Sequence, residues 1–184
     1  MKKMGYPKEP EPAKLFMSFI ALENDIFEQG LKDLGSAFGE TDTISERFSF
    51  DFTDYYAEEM GRPLFRHFIT FARLIPIPVL PDIKRTTNHL EEKYATLHGK
   101  RRINIDPGYI RLEHVILATT KGYTHRPYLR DGIYADLTLI YRHKSFQPLE
   151  WTYPDYREEA VVTLFNQLRR KYLEDSRGGK HRAC

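Results

Sequence analysis

The run KLFMSFIAL at 14–22 is apolar except at Lys14 and Ser18, the pattern of a strand covered on both faces. It predicts a first strand near the middle of a sheet. Phe27, Leu31, Leu34 and Phe38 then recur at helical spacing, behind an Asp25-x-x-Glu28 capping box and ahead of Gly39, and predict a helix. In TISERFSFDF at 43–52, Ile44, Phe48, Phe50 and Phe52 fall on one side of a half-buried strand. A short turn over 53–61 leads to PLFRHFITFARLI at 63–75, which predicts a third strand returning antiparallel. Pro76, Pro78 and Pro81 break that pattern before a helix capped at Asp82, with Ile83, Leu90, Tyr94 and Leu97 on its inner face and Gly99 closing it. A short strand over 102–105 is expected to stop at a turn formed by Asp106, Pro107 and Gly108.

Strand, helix, strand, strand, helix, strand is the order of an α+β fold, and it predicts a ferredoxin-like split βαββαβ unit with an antiparallel sheet. Leu112, Val115, Ile116 and Thr119 keep helical spacing before Gly122, so the unit is expected to be extended by a helix. Two β-hairpins follow, one turning at Asp131-Gly132 and one at 142–144, and then a C-terminal helix over 155–174 opened by an Asp155-x-x-Glu158 box. Residues 14–175 read as a single domain. A proline-rich and charged arm at 1–13 precedes it, and a basic, glycine-containing tail at 176–184 follows.

Composition narrows the classes of partner. The chain has 184 residues, 41% of them hydrophobic, enough for one substantial core. Its 28 basic and 26 acidic residues nearly cancel, so no global field would hold a polyanion, and a nucleic-acid role would need a local patch. A single cysteine excludes an intramolecular disulfide and suits a reducing compartment, and no apolar run approaches the roughly 20 residues of a membrane helix. The expectation is a cytoplasmic protein without a membrane partner.

Four segments taken in order, SFDFTDYYAEEMG (49–61), RINIDPGYI (102–110), LATTKGYTHRPYLRDGIYADLTLIY (117–141) and PLEWTYPDYR (148–157), resemble a prokaryotic family catalogued as domain of unknown function 4416. The resemblance runs from about residue 14 to residue 172 and implies a small cytoplasmic prokaryotic protein. That family has no established reaction, so the resemblance implies no catalytic residues. The sequence contains no G-x-x-x-x-G-K-[ST] loop, and Lys121 in TTKG (119–122) is expected at a helix C-terminus, where the dipole disfavours phosphate.

Between 102 and 141, polar residues interrupt the apolar runs at Asp106, Tyr109, Lys121, His125, Arg126 and Tyr128. Asp54 and Asp106 close two strands that the fold would make neighbours, a carboxylate pair suited to magnesium; each also fits a turn or cap. Arg126 offers a planar fork for phosphate or carboxylate, and His125 can give or take a proton, with Glu150 placed to orient either of them. Against this, Arg126 fits equally well as the partner of an acid such as Asp136 or Glu150. Tyr55, Tyr109 and Tyr128 present flat rings for a base or sugar, although tyrosine also closes the wet edge of a core. The histidines have no metal-ligand spacing, which argues against zinc. The leading expectation is a cleft for a small phosphate-bearing ligand, with a nucleotide and magnesium as candidates, and with His125 as general acid or base. One rival is an RNA-binding module using an aromatic sheet face, Arg101, Arg102, Arg111 and the basic tail. The other is a ligand-free interaction domain whose polar cluster is a satisfied network.

Overall fold

The first strand, β1 (Ala13–Ala21), is buried at all nine positions, as its unbroken apolar run requires. The structure is a computed structural model and describes residues 5–50 and 56–180. Helix α1 (Asn24–Phe38) follows, ending at Gly39 with φ 95°. The predicted 43–52 strand is divided into β2 (Thr41–Ile44) and β3 (Phe48–Ser49), both pairing with the next long strand. After the single-turn helix α2 (Ala57–Met60), β4 (Phe65–Ile75) returns antiparallel to β1. Helix α3 (Leu80–Lys93) starts two residues before Asp82 and carries Pro81 in its first turn, where a missing N–H is harmless. It ends before Leu97, which is fully exposed rather than on an inner face.

Two expectations fail in the next segment. Asp106-Pro107-Gly108 is not a turn: β5 (Ile103–Ile110) runs straight through it, antiparallel to β1 over its whole length. Residues 114–119 are not a helix but β6 (His114–Thr119). Val115 and Leu117 pack into the core on one face while Ile116 and Ala118 pack on the other. In a run that is apolar throughout, any period finds a match, and the β-branched residues decide for strand.

The two hairpins form as predicted. Asp131 (φ 53°) and Gly132 (φ 76°) turn β7 (Tyr128–Arg130) into β8 (Ile133–Arg142), and His143 and Lys144, both at positive φ, turn β8 into β9 (Ser145–Pro148). Asp155 does not cap the last helix; Glu158 does, its carbonyl accepting from the Val162 N–H at 2.9 Å. A 3-10 turn (Pro154–Arg157) holds Asp155, and α4 (Glu159–Lys180) begins after it, continuing through residues 176–180 that read as tail.

Among the described residues the strands form one sheet in the order β2-β4-β1-β5-β6-β8-β7, with β3 on β4 and β9 on β8, and every pairing is antiparallel. This is an α+β architecture. Helices α1 and α3 cover one face, packing Phe27, Leu34 and Ile83 on Leu15, Met17, Phe19 and Ile105. Helix α4 covers the other with Val161, Phe165 and Leu168 on Phe16, Phe68, Val115 and Leu139. Among the described residues, no helix is long and apolar enough to cross a membrane.

Candidate functional site

Strands β5 and β6 pair only through Gly108↔Leu117, Tyr109↔Ile116 and Ile110↔Val115. Beyond that point β5 stays on β1 down to Ile103, while β6 stays on β8 out to Thr119. The sheet therefore splits, and a cavity of about 320 Å³ opens in the split.

The split leaves one edge of β5 without a strand partner, and its backbone groups must be satisfied some other way. Helix α3 supplies them. Ile105 N–H donates to Glu91 Oε1 at 2.7 Å, and the Ile105 carbonyl accepts from Lys84 Nζ at 3.1 Å. Lys84, Asn88 and Glu91 sit at i, i+4 and i+7, so one helix face brings all three to the cavity. Pro107, two residues beyond Ile105, directs its nitrogen to the same open edge, where no ladder hydrogen bond is lost. Gly108 is required where the strands close again: a Cβ there would lie 2.3 Å from the Ile116 carbonyl oxygen and 2.6 Å from the Phe16 ring.

Asn104 and Asp106 alternate with the buried Ile103 and Ile105, so both polar side chains leave β5 on one face. Asp106 accepts from Lys84 Nζ at 3.0 Å and from Asn104 Nδ2 at 2.7 Å, which engages both of its oxygens. Burial opposes its ionisation, but the Lys84 ammonium, the Asn104 amide and the Arg66 charge together hold its carboxyl below the ordinary range. Glu91 behaves in the opposite way. Burial pushes it up to about 7, and the negative charge of Asp106 adds to the effect against the pull of Lys84. Arg101 forks onto Glu59, with Nε and Nη2 at 2.9 and 2.7 Å from Oε2, and also reaches Asn104 Oδ1 at 3.1 Å.

Arg66 of β4 forms the floor. It is buried, its Nη1 pairs with Asp155 of the 3-10 turn, and its guanidinium lies 4.5 Å from the Phe50 ring and 5.3 Å from the Tyr156 ring. Burial lowers its pKa, as expected of a cation removed from water. Thr119, Thr120 and Lys121 at the end of β6, with Tyr153 opposite, complete the wall. Because β6 is a strand, Lys121 lies at no helix terminus, and the dipole argument against a phosphate there lapses.

The residues singled out from sequence are distributed unevenly around this cavity. Asp106 and Lys121 line it. Arg126 stands one step behind, donating from Nε to Asp136 at 2.7 Å, from Nη1 to the Lys121 carbonyl at 3.2 Å and from Nη2 to the Tyr153 hydroxyl at 2.7 Å. Asp136 and Tyr153 both line the cavity, so Arg126 braces its wall. His125 also lies behind: its Nε2 is 3.8 Å from Asp136, and its ring stacks on Trp151 at 4.9 Å. Tyr109 is buried in the core against Ile116 and Leu80. Tyr128 is 60% exposed and packs on Tyr134, and Glu150 is exposed at the surface. Asp54 and Tyr55 lie outside the described residues.

Sequence reasoning did not single out Arg66, Lys84, Asn88, Glu91 or Asn104. Two signals were present: polar residues at helical spacing on the sheet-facing side of α3, and the polar-apolar alternation of INID at 103–106. No group of three or more His, Cys, Asp or Glu side chains among the described residues is arranged to hold a metal.

Neither the curated proteins nor the solved structures contain a significant match to this chain. Its family is nonetheless shown by a match over residues 11–172, which takes in every strand of the sheet and the whole cavity wall: the chain belongs to the family described as domain of unknown function DUF4416.

Proposed function

We propose that this protein binds a small phosphate-bearing molecule in the cavity between β5 and β6. The observation that carries the reading is the convergence of four cationic side chains, Arg66, Lys84, Arg101 and Lys121, from separate parts of the fold on one concave space. A volume of about 320 Å³ is at the small end of metabolite sites, which run from roughly 300 to 1,000 Å³. Carboxylates nearly balance the cations, so the anion would be held by directed hydrogen bonds rather than by a net field. Donor capacity exists for this. Lys84 has three N–H groups and two hydrogen bonds, and Asn88 and the hydroxyls of Thr119 and Thr120 line the same wall. Asp106 has both oxygens engaged by Lys84 and Asn104, which suits it to ordering the wall rather than to holding magnesium.

The strand order β2-β4-β1-β5, with α1 and α3 on one face, supports a ferredoxin-like unit from β1 to β5. On this reading the ligand site lies where that unit meets its extension, β6 to α4. The RNA reading has less support. Helices cover both faces of the central sheet, Arg102 pairs with Glu23, and Arg111 donates to the Glu11 carbonyl.

The test is a thermal-shift screen against phosphate, sugar phosphates and nucleotides. A ligand present at about 100 times its Kd stabilises the native state by about 2.7 kcal/mol, several degrees for a chain of this size. Lys121→Ala and Asn88→Ala should shrink the shift while leaving the melting of the unliganded protein nearly unchanged. Failure of every phosphate compound to shift the wild type, or shifts indifferent to both variants, would remove the proposal.

A further inference from the structure

Among the described residues eight large apolar side chains are exposed, and five of them, Tyr123, Tyr128, Leu129, Trp151 and Tyr153, come from two segments beside the cavity. Scattered surface apolar residues need no explanation; a cluster does. These rings are not loosely packed core. Trp151 donates its indole N–H to the Leu137 carbonyl at 2.8 Å, and its ring lies 14° from parallel with His125 at 4.9 Å. Tyr123 meets the same imidazole edge-on at 5.3 Å yet leaves 68% of its surface accessible. Tyr153 is held through its hydroxyl by Arg126, lines the cavity and is still 42% exposed. The sequence places Tyr123 two residues beyond Lys121, which lines the cavity. Flat rings are thus fixed in orientation, left accessible and continuous with the wall that carries the cationic groups.

We propose that this aromatic rim, Tyr123 with Trp151 and Tyr153, is a stacking subsite for the base of a nucleoside phosphate whose phosphate lies in the cavity. The inference rests on the reading that the cavity takes phosphate, and it adds the class of ligand. Any base offers a π-face to such a rim, so stacking gives affinity for an aromatic ring with little choice among bases. The phosphate and the ring then bind at adjoining places that the same loop, residues 121–127, brings together.

Trp151 is the only tryptophan in the chain, so its fluorescence reports on this rim alone. The experiment titrates the full chain with inorganic phosphate, ribose 5-phosphate and the four nucleoside 5′-monophosphates, following Trp151 emission and thermal stability together. It is repeated on Tyr123→Ala, and on Trp151→Ala by thermal stability alone. The expected result is that nucleotides bind about tenfold or more tightly than ribose 5-phosphate and change Trp151 emission saturably. Either substitution should erase most of that preference while leaving ribose 5-phosphate affinity in place. Equal affinity for ribose 5-phosphate and the nucleotides in the wild type overturns the stacking subsite and leaves the cavity reading standing. A nucleotide preference that survives both substitutions overturns it as well. Absence of binding by any phosphate compound overturns both readings.

Discussion

Glutamine at position 91 keeps an oxygen to accept the Ile105 N–H and removes a charge from the cavity wall. Glu91 is 8% exposed, and burial raises its carboxyl from an ordinary 4.5 to about 7. At acid pH the native and unfolded chains both hold this proton, and Glu91 leaves stability unchanged. As pH rises from about 4.5 to 7 the unfolded chain releases the proton while the native chain retains it, so the native state binds more protons and stability falls with pH. Above about pH 7.5 the deficit is complete. At about 1.4 kcal/mol per pH unit it is on the order of 3 kcal/mol, or about 6–12 °C in melting temperature for a chain of this length. Glu91→Gln does not titrate, so the difference between variant and wild type isolates the group. Urea or thermal melts at half-unit steps from pH 5 to 8.5 should show the two proteins close together at pH 5 and the glutamine variant progressively more stable toward pH 8. A difference that stays flat across the range, or a variant less stable than wild type at pH 8, would refute the assignment of a raised pKa to Glu91. Confirmation would mean that the fold tolerates a destabilising carboxylate in its cavity, as functional sites commonly do.

Gly108→Ala puts a methyl group 2.3 Å from the Ile116 carbonyl oxygen, a backbone atom that cannot move without parting β5 from β6, and should cost about 3 kcal/mol or prevent folding, read by urea denaturation. Asp155→Ala leaves the buried Arg66 guanidinium without its carboxylate and should cost about 3–5 kcal/mol; Asp155→Ala combined with Arg66→Met should recover much of that in the same assay, and no recovery would mean that the pair is not the source. Asp136→Asn weakens the anchor of Arg126 and through it of Tyr153, so any phosphate ligand found by thermal shift should lose affinity several-fold, with Trp151 emission shifted in the unliganded protein; an unchanged affinity and spectrum would show that Arg126 does not brace the wall.

How much of this was legible in the sequence depends on what each signal encodes. The apolar run of β1, the helical stripe of α1 and the Asp131-Gly132 hairpin are written locally and form as read. The helix expected over 112–119 fails because VILA at 115–118 is apolar on every face, so periodicity carries no information there, and the β-branched Val115 and Ile116, paired with β8, decide for strand. The Asp106-Pro107-Gly108 turn fails for a non-local reason. Proline and glycine usually mark a turn, but here the proline nitrogen meets an edge that β6 has left and the glycine admits the Ile116 carbonyl. The site divides in the same way. Asp106 and Lys121 stand out in the sequence as polar interruptions of apolar runs, and they line the cavity. Arg126 carries two readings in the sequence, a fork for phosphate and a partner for an acid, and its ion pair with Asp136 is formed. Arg66, Lys84 and Glu91 are brought together only by the parting of β5 and β6, and no local pattern announces where a sheet will split.

If the split in the sheet is a site for a small phosphate-bearing ligand, filling that split must abolish retention of the ligand. Purified wild-type protein and Asn88→Trp, which fills the cavity from the α3 wall, would each be incubated with a cell-derived pool of small molecules, washed, denatured and the released compounds identified by mass spectrometry. Wild type is expected to retain a phosphate-bearing compound that Asn88→Trp, folded as judged by its circular dichroism, does not. Equal retention by the two proteins, or retention only of compounds without phosphate, would contradict it.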